Sequence, residues 1–568
     1  MLNTIFEAKK HIAHCISEAI ETAIKKGELI RCDLPDIMIE QPTNPEYGDF
    51  SCNIAMLTAR IFKKPPIKIA ETIVSFMTPD KNLINSVEVA GAGFINFRLS
   101  NECYIGSVKE AILKGIDYGK SDIGQGKRVM VEYVSANPTG PMHLGNARGG
   151  ALGDCLASVM EEAGYTVYRE FYINDAGNQI EKFGLSLDCR YQQLFLGEDA
   201  VPLPEDSYHG ADIIDRAKGF AKKHGNTYLN KPERERRKAL VEYALPLNIR
   251  KMQRDMKKYR IVYNKWFRES SLHKSGQVKQ AIALLEERGM TYWKDDALWY
   301  KATTYGADKD EVLIRANGNP TYYAADIAYH INKFKRGFDI CIDVWGADHH
   351  GHVARMKGAL EAVGYKSDRL EVILMQLVRL MDNGTPVKMS KRTGKAIQLA
   401  DLLDEVPIDA ARFFFNLHES TSKIDFDLGL AVRQDSQNPV YYVQYAHARI
   451  CSILKAYEEK YGKFNCDSIN SNDIYISEIE RELIRVVAEY PQVIAQAALE
   501  REPSRVNRYI ISVASTFHKF YNACRVISSD ETITKFRIAI CSGTKQVLFN
   551  ALTLMKITCP DHMDNLTE

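Results

Sequence analysis

The chain has 568 residues, of which 45% are hydrophobic and 26% charged, and its net charge is +1. That length exceeds what one ordinary core can serve and predicts three or four domains; the balanced charge excludes a global field that recruits nucleic acid, so any such site must be a local patch. No apolar run approaches the ~20 residues needed to span a bilayer, so no membrane helix is expected.

The first 28 residues, MLNTIFEAKKHIAHCISEAIETAIKKGE, carry Glu7, Glu18 and Glu21 at helical spacing. A secretory leader would lack these acids, so the stretch reads as an amphipathic helix. Helical patterning then gives way to PPIKIAETIVSFM and SVEVAGAGFINFRLS, where alternation and glycines suggest strands. Residues 1–118 are therefore expected to form an N-terminal α+β domain, followed by the polar, Gly-rich linker YGKSDIGQGKR.

From 119 to 430 the pattern is strand, helix, strand. RVMVEYVS reads as a buried strand, Leu144 to Gly164 as a helix ending at a glycine, and TVYREFYIND as a second strand. Farther on, FDICIDVWGADHHGHVARMKGALEAVG repeats strand, loop and helix, and RLEVILMQLVRLM supplies another strand. Alternation of this kind predicts an α/β domain with a Rossmann-type, doubly wound parallel sheet. A largely helical insertion, about 180–310, interrupts it. Residues 206–262 hold 15 Lys and Arg against seven Asp and Glu, which fits either a solvated helical face or an RNA-facing patch. Residues 431–568 show four helical segments and 16 basic against 16 acidic residues, an all-α bundle that charge alone does not mark as RNA-binding. The twelve cysteines include no CxxC pair and read as scattered thiols of a reducing cytosol, with neither zinc nor another protein-bound metal expected.

Three motifs carry chemistry. PTGPMHLGNARGG (138–150) sits between the first strand and its helix, where α/β sheets bind ligands. There His143 can face a triphosphate and Gly145 lets a nucleotide approach the backbone. Asn146 stands where an HxGH signature would have a second His. GADHHGH (346–352) fits GxDxxxH at a strand end, with Gly346 leaving room, Asp348 able to accept from ribose hydroxyls, and His352 closing the motif. VKMSKRTGK (387–395) sets Lys388 and Lys391 around Met389 and Ser390 in a polar loop, two ammonium groups suited to a pyrophosphate leaving group.

In that order on one α/β scaffold, the three motifs resemble those of the class I aminoacyl-tRNA synthetases. Nearly the whole chain resembles the bacterial arginyl-tRNA synthetases, through NPEYGDFSCNIAM, GAGFINFRL, VEYVSANPTGPMHLGNARGGALGD, REFYINDAGNQI and NPVYYVQYAHAR. The resemblance implies a ligase that activates L-arginine with ATP, releases pyrophosphate, and transfers the arginyl group to the 3′ end of tRNA(Arg). It also implies an N-terminal domain that contacts the tRNA elbow, a C-terminal domain (431–568) that reads the anticodon region, and a need for bound tRNA before arginine is activated. His143, Asn146, Lys388, Ser390 and Lys391 would be catalytic. His143, Gly145, Gly346, Asp348, His352 and Met389 would hold ATP. Glu132, Tyr322 and Asp326 would hold the guanidinium, a planar cation that favours carboxylates, with Ser135, Asn137 and Asn146 along the amino and carboxylate end. An Asn amide donates hydrogen bonds but carries no proton, so Asn146 is expected to orient arginine or the ATP phosphates rather than act as acid or base. Magnesium is expected with ATP; the enzyme is expected to be a cytoplasmic monomer.

Two other readings remain at this level. A small-molecule nucleotidyltransferase would need neither the basic insertion nor the helical C-terminal domain. A non-catalytic tRNA-binding paralogue should have lost Lys388 and Lys391, and both are present.

Overall fold

A computed structural model describes residues 3–387, 397–469 and 474–563. At its centre is a five-stranded parallel sheet: β1 (Arg128–Glu132), β2 (Thr166–Ile173), β3 (Lys265–Arg268), β4 (Ile340–Gly346) and β5 (Leu370–Met375), in the order β5-β4-β1-β2-β3. The order reverses between β1 and β4, so their carboxyl ends diverge and leave the crevice where doubly wound sheets take ligands. Three helices frame that crevice: α1 (Leu144–Glu162), α2 (Tyr322–Lys335) and α3 (His350–Ala362). α1 lies close to the β1 end because Gly153 has no side chain; a Cβ there would stand 2.2 Å from the Tyr133 ring.

Several expectations about elements need correction. RLEVILMQLVRLM is two strands, β5 and Val378–Asp382, and the second pairs with Ile424–Asp427 in a separate small sheet. The break falls at Gln376, whose N–H donates to the Ser420 carbonyl (3.0 Å) and whose carbonyl accepts from Arg148 (2.6 Å). PIKIAETIVSF is a helix, Pro66–Phe76, not a strand; proline starts it and Ile69, Ala70 and Ile73 are buried on one face. The stretch expected to be a helical insertion contains the helices Asn178–Leu196, Ala211–His224 and Glu233–Lys258. It then returns to the main sheet as β3 and adds an antiparallel sheet of Thr291–Lys294, Ala297–Tyr300 and Glu311–Ile314.

The N-terminal unit packs the helix Ile5–Lys25 and its neighbours on an antiparallel sheet whose central strand is Phe94–Leu99. Its last helix, Asn101–Lys114, lies against the C-terminal bundle of Pro439–Tyr461, Glu478–Leu499, Ser504–Ala523 and Glu531–Leu554. Asn550 donates to the Gly115 and Tyr118 carbonyls at 2.9 and 3.0 Å, and Arg485 pairs with Asp49 at 2.7 Å. Arg412, fully buried, ties the bundle to the catalytic unit by donating to Asp154 (2.7 Å) and to the carbonyls of Tyr259 and Met555. No helix among the described residues is long and apolar enough to cross a membrane.

Candidate active site

β1 ends at Glu132, and the chain then turns sharply. Val134 has φ +73° and Ser135 φ +42°, left-handed values that a β-branched valine avoids, at a cost of about 1–3 kcal/mol. This strained turn brings the Ser135 hydroxyl back to donate to Glu132 Oε1 at 2.8 Å, and the Ser135 hydroxyl oxygen accepts from the Tyr172 N–H at 3.1 Å. Ser135 is thus occupied in holding Glu132 against β2. Asn137, two residues on, is exposed.

His143 is the N-cap of α1, and Asn146 Oδ1 accepts from the His143 N–H at 2.9 Å. Asn146 therefore spends its oxygen on a capping interaction, which leaves its NH₂ as the group that can reach a substrate. An imidazole at this position would not offer the amide's oxygen and NH₂ together, which accounts for the tolerance of Asn in the signature. Gly145 follows; a Cβ on it would crowd the His143 ring at 3.2 Å. The α1 N-terminus, with its unsatisfied N–H groups and positive dipole end, faces the crevice as an anion site.

Lys388, Met389, Ser390 and Lys391 lie outside the described residues. The flanks of their loop are described. Val387 donates to the Leu380 carbonyl at 3.0 Å on the entering side. On the leaving side Gln398 bridges to His143, and Leu399 donates to the Met142 carbonyl at 2.8 Å. The loop therefore leaves directly beside the histidine of the first motif.

α2 supplies the rest of the floor. Tyr322, Asp326, His330 and Lys333 recur at helical spacing and share one face. Tyr322 is 71% exposed at the helix start, whereas Lys333 is wholly buried. Asp326 accepts from His352 Nε2 at 2.8 Å. Burial works to raise the Asp326 carboxyl, but the His352 hydrogen bond and the charges of His330, His352 and Lys333 win and hold it below the ordinary carboxylate range. His352, expected at ATP, is thus joined by that hydrogen bond to the carboxylate expected at arginine, with its ring edge-on to Tyr323 at 5.8 Å and tilted against Trp345 at 5.3 Å. Gly346 ends β4; a Cβ there would crowd an Asp348 carboxylate oxygen, and Asp348 itself is exposed, with His349 Nε2 3.7 Å from its carboxylate.

Beneath these groups lies a network that the motifs did not reveal. Glu132 and Asp343 occupy paired positions on β1 and β4, and Lys333 Nζ sits 2.6 Å from Glu132 Oε2 and 2.7 and 2.9 Å from the two Asp343 oxygens. His330 joins Asp343 at 2.9 Å through Nε2 and the Asp326 carbonyl at 2.8 Å through Nδ1. On the β2 side Tyr172 donates to Glu269 at 2.9 Å. Burial first, then the charges of Glu269 and Asp326, push the Tyr172 hydroxyl far above its ordinary range, so it stays a neutral donor. Neither Lys333, on a helix that also carries Asp326, His330, Asn332 and Lys335, nor Asp343, within its buried strand, carried a mark in the sequence that singled it out.

Three buried or half-buried carboxylates, Glu132, Asp326 and Glu269, surround the Tyr172 hydroxyl. Such a cluster can hold a cation, and a helix N-terminus such as that of α1 can hold an anion. Among the described residues one group, His447, Cys451 and Asp561 on the bundle, brings its metal-binding atoms within 4.8 Å of one another. Lys545 hydrogen-bonds the Cys451 thiol there and already supplies a cation.

Comparison with known proteins gives the same picture along the whole chain. Residues 10–99 match the family model described as arginyl tRNA synthetase N terminal domain, 107–425 the class I (R) tRNA synthetase catalytic domain, and 443–563 the DALR anticodon binding domain. The arginine–tRNA ligase of Caldanaerobacter subterraneus is 53% identical over 99% of this chain and 100% of its own length. That of Acetivibrio thermocellus is 50% identical with the same coverage. The structure of Thermus thermophilus arginyl-tRNA synthetase covers 97% of this chain and 100% of its own at a TM-score of 0.72 and 21% identity, a likeness of fold.

Proposed function

This chain belongs to the arginyl-tRNA synthetases, and from that premise we infer that it activates L-arginine with ATP and transfers it to tRNA(Arg) as a ligase. The arginine carboxylate attacks the α-phosphate, the bond to the β-phosphate breaks, and arginyl-adenylate and pyrophosphate result. A terminal ribose hydroxyl of tRNA then displaces AMP. The observation that carries this reading is that Glu132, at the end of β1, and Asp326 lie in one hydrogen-bonded network at the sheet's switch point, with the α1 N-terminus following β1.

In this reading Glu132 and Asp326 take the guanidinium, with Tyr322 covering it, while Asn146, Asn137 and the Ser135 turn lie toward the amino and carboxylate end. His143, Gly145, Gly346 and Asp348 hold ATP, and His352 acts between the two sites by fixing Asp326. Lys388, Ser390 and Lys391 act on the phosphates and Met389 on ATP, and the described segment after them, Gln398 and Leu399, is bonded to His143 and Met142. Magnesium enters with the ATP phosphates. Displacement at phosphorus rests on positioning and charge stabilisation, so no second histidine is required.

Residues 1–118 take the tRNA elbow and 431–568 the anticodon region. Support for the latter is a cleft of about 940 Å³ in the bundle, where the Arg449 guanidinium lies 4.7 Å from the centres of both the Tyr445 and Tyr521 rings. Stacked aromatic and guanidinium planes are what an unpaired base seeks. The enzyme works as a cytoplasmic monomer.

The test is attachment of labelled arginine to purified tRNA(Arg) by wild type and Lys391→Ala. Loss of a donor to transition-state charge costs about 2.7–4 kcal/mol, or roughly 10²–10³ in rate, with arginine affinity little changed. A chain that charges no arginine contradicts the function; a Lys391→Ala variant at wild-type rate contradicts the role of the loop.

A further inference from the structure

Lys333 is 0% exposed, so no substrate atom reaches it, yet it lies one ion pair from the guanidinium pocket. We propose that Lys333 is a positioning residue for arginine: its ammonium, set between Glu132 and Asp343, supplies the positive charge that favours the ionised form of Glu132 over the neutral acid. This rests on the reading that Glu132 and Asp326 take the guanidinium.

The physical problem is the pairing of Glu132 with Asp343 on adjacent strands inside the sheet. Two buried carboxylates side by side do not both stay charged unless a cation is supplied; one of them takes a proton. A protonated Glu132 would present an O–H to a guanidinium, which has five N–H donors and no acceptor. Lys333 prevents this from a position between the two, at 2.6 Å from Glu132 and 2.7 Å from Asp343.

Its geometry toward the two acids differs. Both Asp343 oxygens accept hydrogen bonds from Nζ, at 2.7 and 2.9 Å. Glu132 Oε2 is buried against Nζ at 2.6 Å, whereas Oε1 takes the Ser135 hydroxyl. Lys333 thus compensates the charge of Glu132 from the side opposite the Ser135 turn. Asp343 anchors the ammonium and, through His330, the backbone of Asp326 as well, so one network sets both walls of the pocket. The groups facing Glu132 are Lys333 and His330 from α2, Asp343 from β4, Ser135 from the strained turn, and the hydroxyls of Tyr172, Tyr263 and Tyr329. Lys333 is the one lysine among them.

Without Lys333, Glu132 takes up a proton at neutral pH, and arginine binds only after that proton leaves. The experiment measures arginine KM by pyrophosphate exchange with saturating tRNA, from about pH 6 to pH 8.5. The enzymes compared are wild type, Glu132→Gln, Lys333→Met and the double variant Lys333→Met with Asp343→Asn. The double variant removes one charge of each sign and serves if the single variant does not fold. Expected in Lys333→Met is a KM raised at least about tenfold near pH 6.5 and falling about tenfold per pH unit until it levels, and in the double variant, where Asp343 no longer repels Glu132, a smaller rise that levels at lower pH, with ATP KM unchanged in both. Glu132→Gln should raise KM equally at every pH. If Glu132→Gln raises KM but the Lys333 variants stay within twofold of wild type, or rise without pH dependence, the positioning role is overturned. If Glu132→Gln itself behaves as wild type, the guanidinium reading falls and this inference falls with it.

Discussion

Asp326→Asn keeps the size of the side chain and one acceptor oxygen but removes the charge, so it isolates the electrostatic part of arginine recognition. Breaking a desolvated charge pair costs about 2–5 kcal/mol, or roughly 30- to several-thousand-fold in affinity. The expected outcome is a large rise in arginine KM with ATP binding unchanged; steady-state exchange kinetics within about twofold of wild type would remove Asp326 from the pocket. The same network also has a pH signature in stability. Burial works against the Asp343 charge, but Lys333 and His330 overcome it and hold the carboxyl below its ordinary 3.8. A lowered carboxyl contributes stability that is complete above 3.8 and is lost as pH falls through the folded-state value. Asp343→Asn should therefore be less stable than wild type at pH 7, with the gap closing in acid; denaturant titrations at several pH values give the comparison. At this scale Glu132 and Asp326 were singled out through the family resemblance, with the planar guanidinium's need for carboxylates as the chemical reason, and not by spacing. Lys333 and Asp343 were not, since a buried lysine in IAYHINKFK looks like any solvated helix charge until a neighbouring strand places an acid against it. Asn146 was read as a ligand group, and the structure adds that its oxygen caps its own helix.

Among the elements, the turn that follows β1 is the most demanding, because Glu132, Val134 and Ser135 are set by how closely α1 approaches. Gly153→Ala puts a methyl 2.2 Å from the Tyr133 ring, whose backbone leads into the strained turn. Overpacking of this kind costs about 1–3 kcal/mol. We expect a lower midpoint in urea together with a loss of arginine affinity, since Tyr133 cannot move without carrying Glu132. A variant of unchanged stability would show that the helix has slack there. The long strands and helices of this region were readable from period alone: RVMVEYVS, TVYREFYI and FDICIDVWG are apolar runs of strand length, and α1 has a glycine stop. β3 was missed because four residues of KWFR inside a charged helical tract carry no period that could register. RLEVILMQLVRLM looked continuous because Gln376, where Arg148 pins the chain and turns it into a second sheet, is marked only by tertiary contacts. Pro66–Phe76 shows the reverse error: apparent alternation suggested a strand, but Ile69 and Ile73 are four apart, a helical spacing that packing rewards.

Over the whole molecule, three units are joined by buried polar contacts: Asn550 to the Gly115–Tyr118 segment, Arg485 to Asp49, and Arg412 to Asp154. The bundle cleft and the catalytic crevice are thus ends of one packed body, and residues 555–563 run between them. The Met555 carbonyl accepts from Arg412, Thr558 accepts from Gln444 and donates its N–H to Asp409, and His562 lines the cleft. Such continuity is what coupling between an RNA site and a chemical site requires, though coupling itself is a free energy to be measured. Arg449→Ala should remove a stacking plane worth about 1–3 kcal/mol, raising tRNA KM roughly 5- to 150-fold while turnover at saturating tRNA is kept. Unchanged tRNA KM would take the cleft out of the RNA interface. The most direct measurement of the central claim is amino-acid-dependent ATP–pyrophosphate exchange by nuclease-treated enzyme, with and without added tRNA(Arg). The account predicts rapid exchange with arginine plus tRNA, little with arginine alone, and little with lysine under either condition, because a compact ammonium cannot fill an acidic pocket shaped for a planar fork. Equal exchange with lysine, or none with arginine in the presence of tRNA, would contradict it.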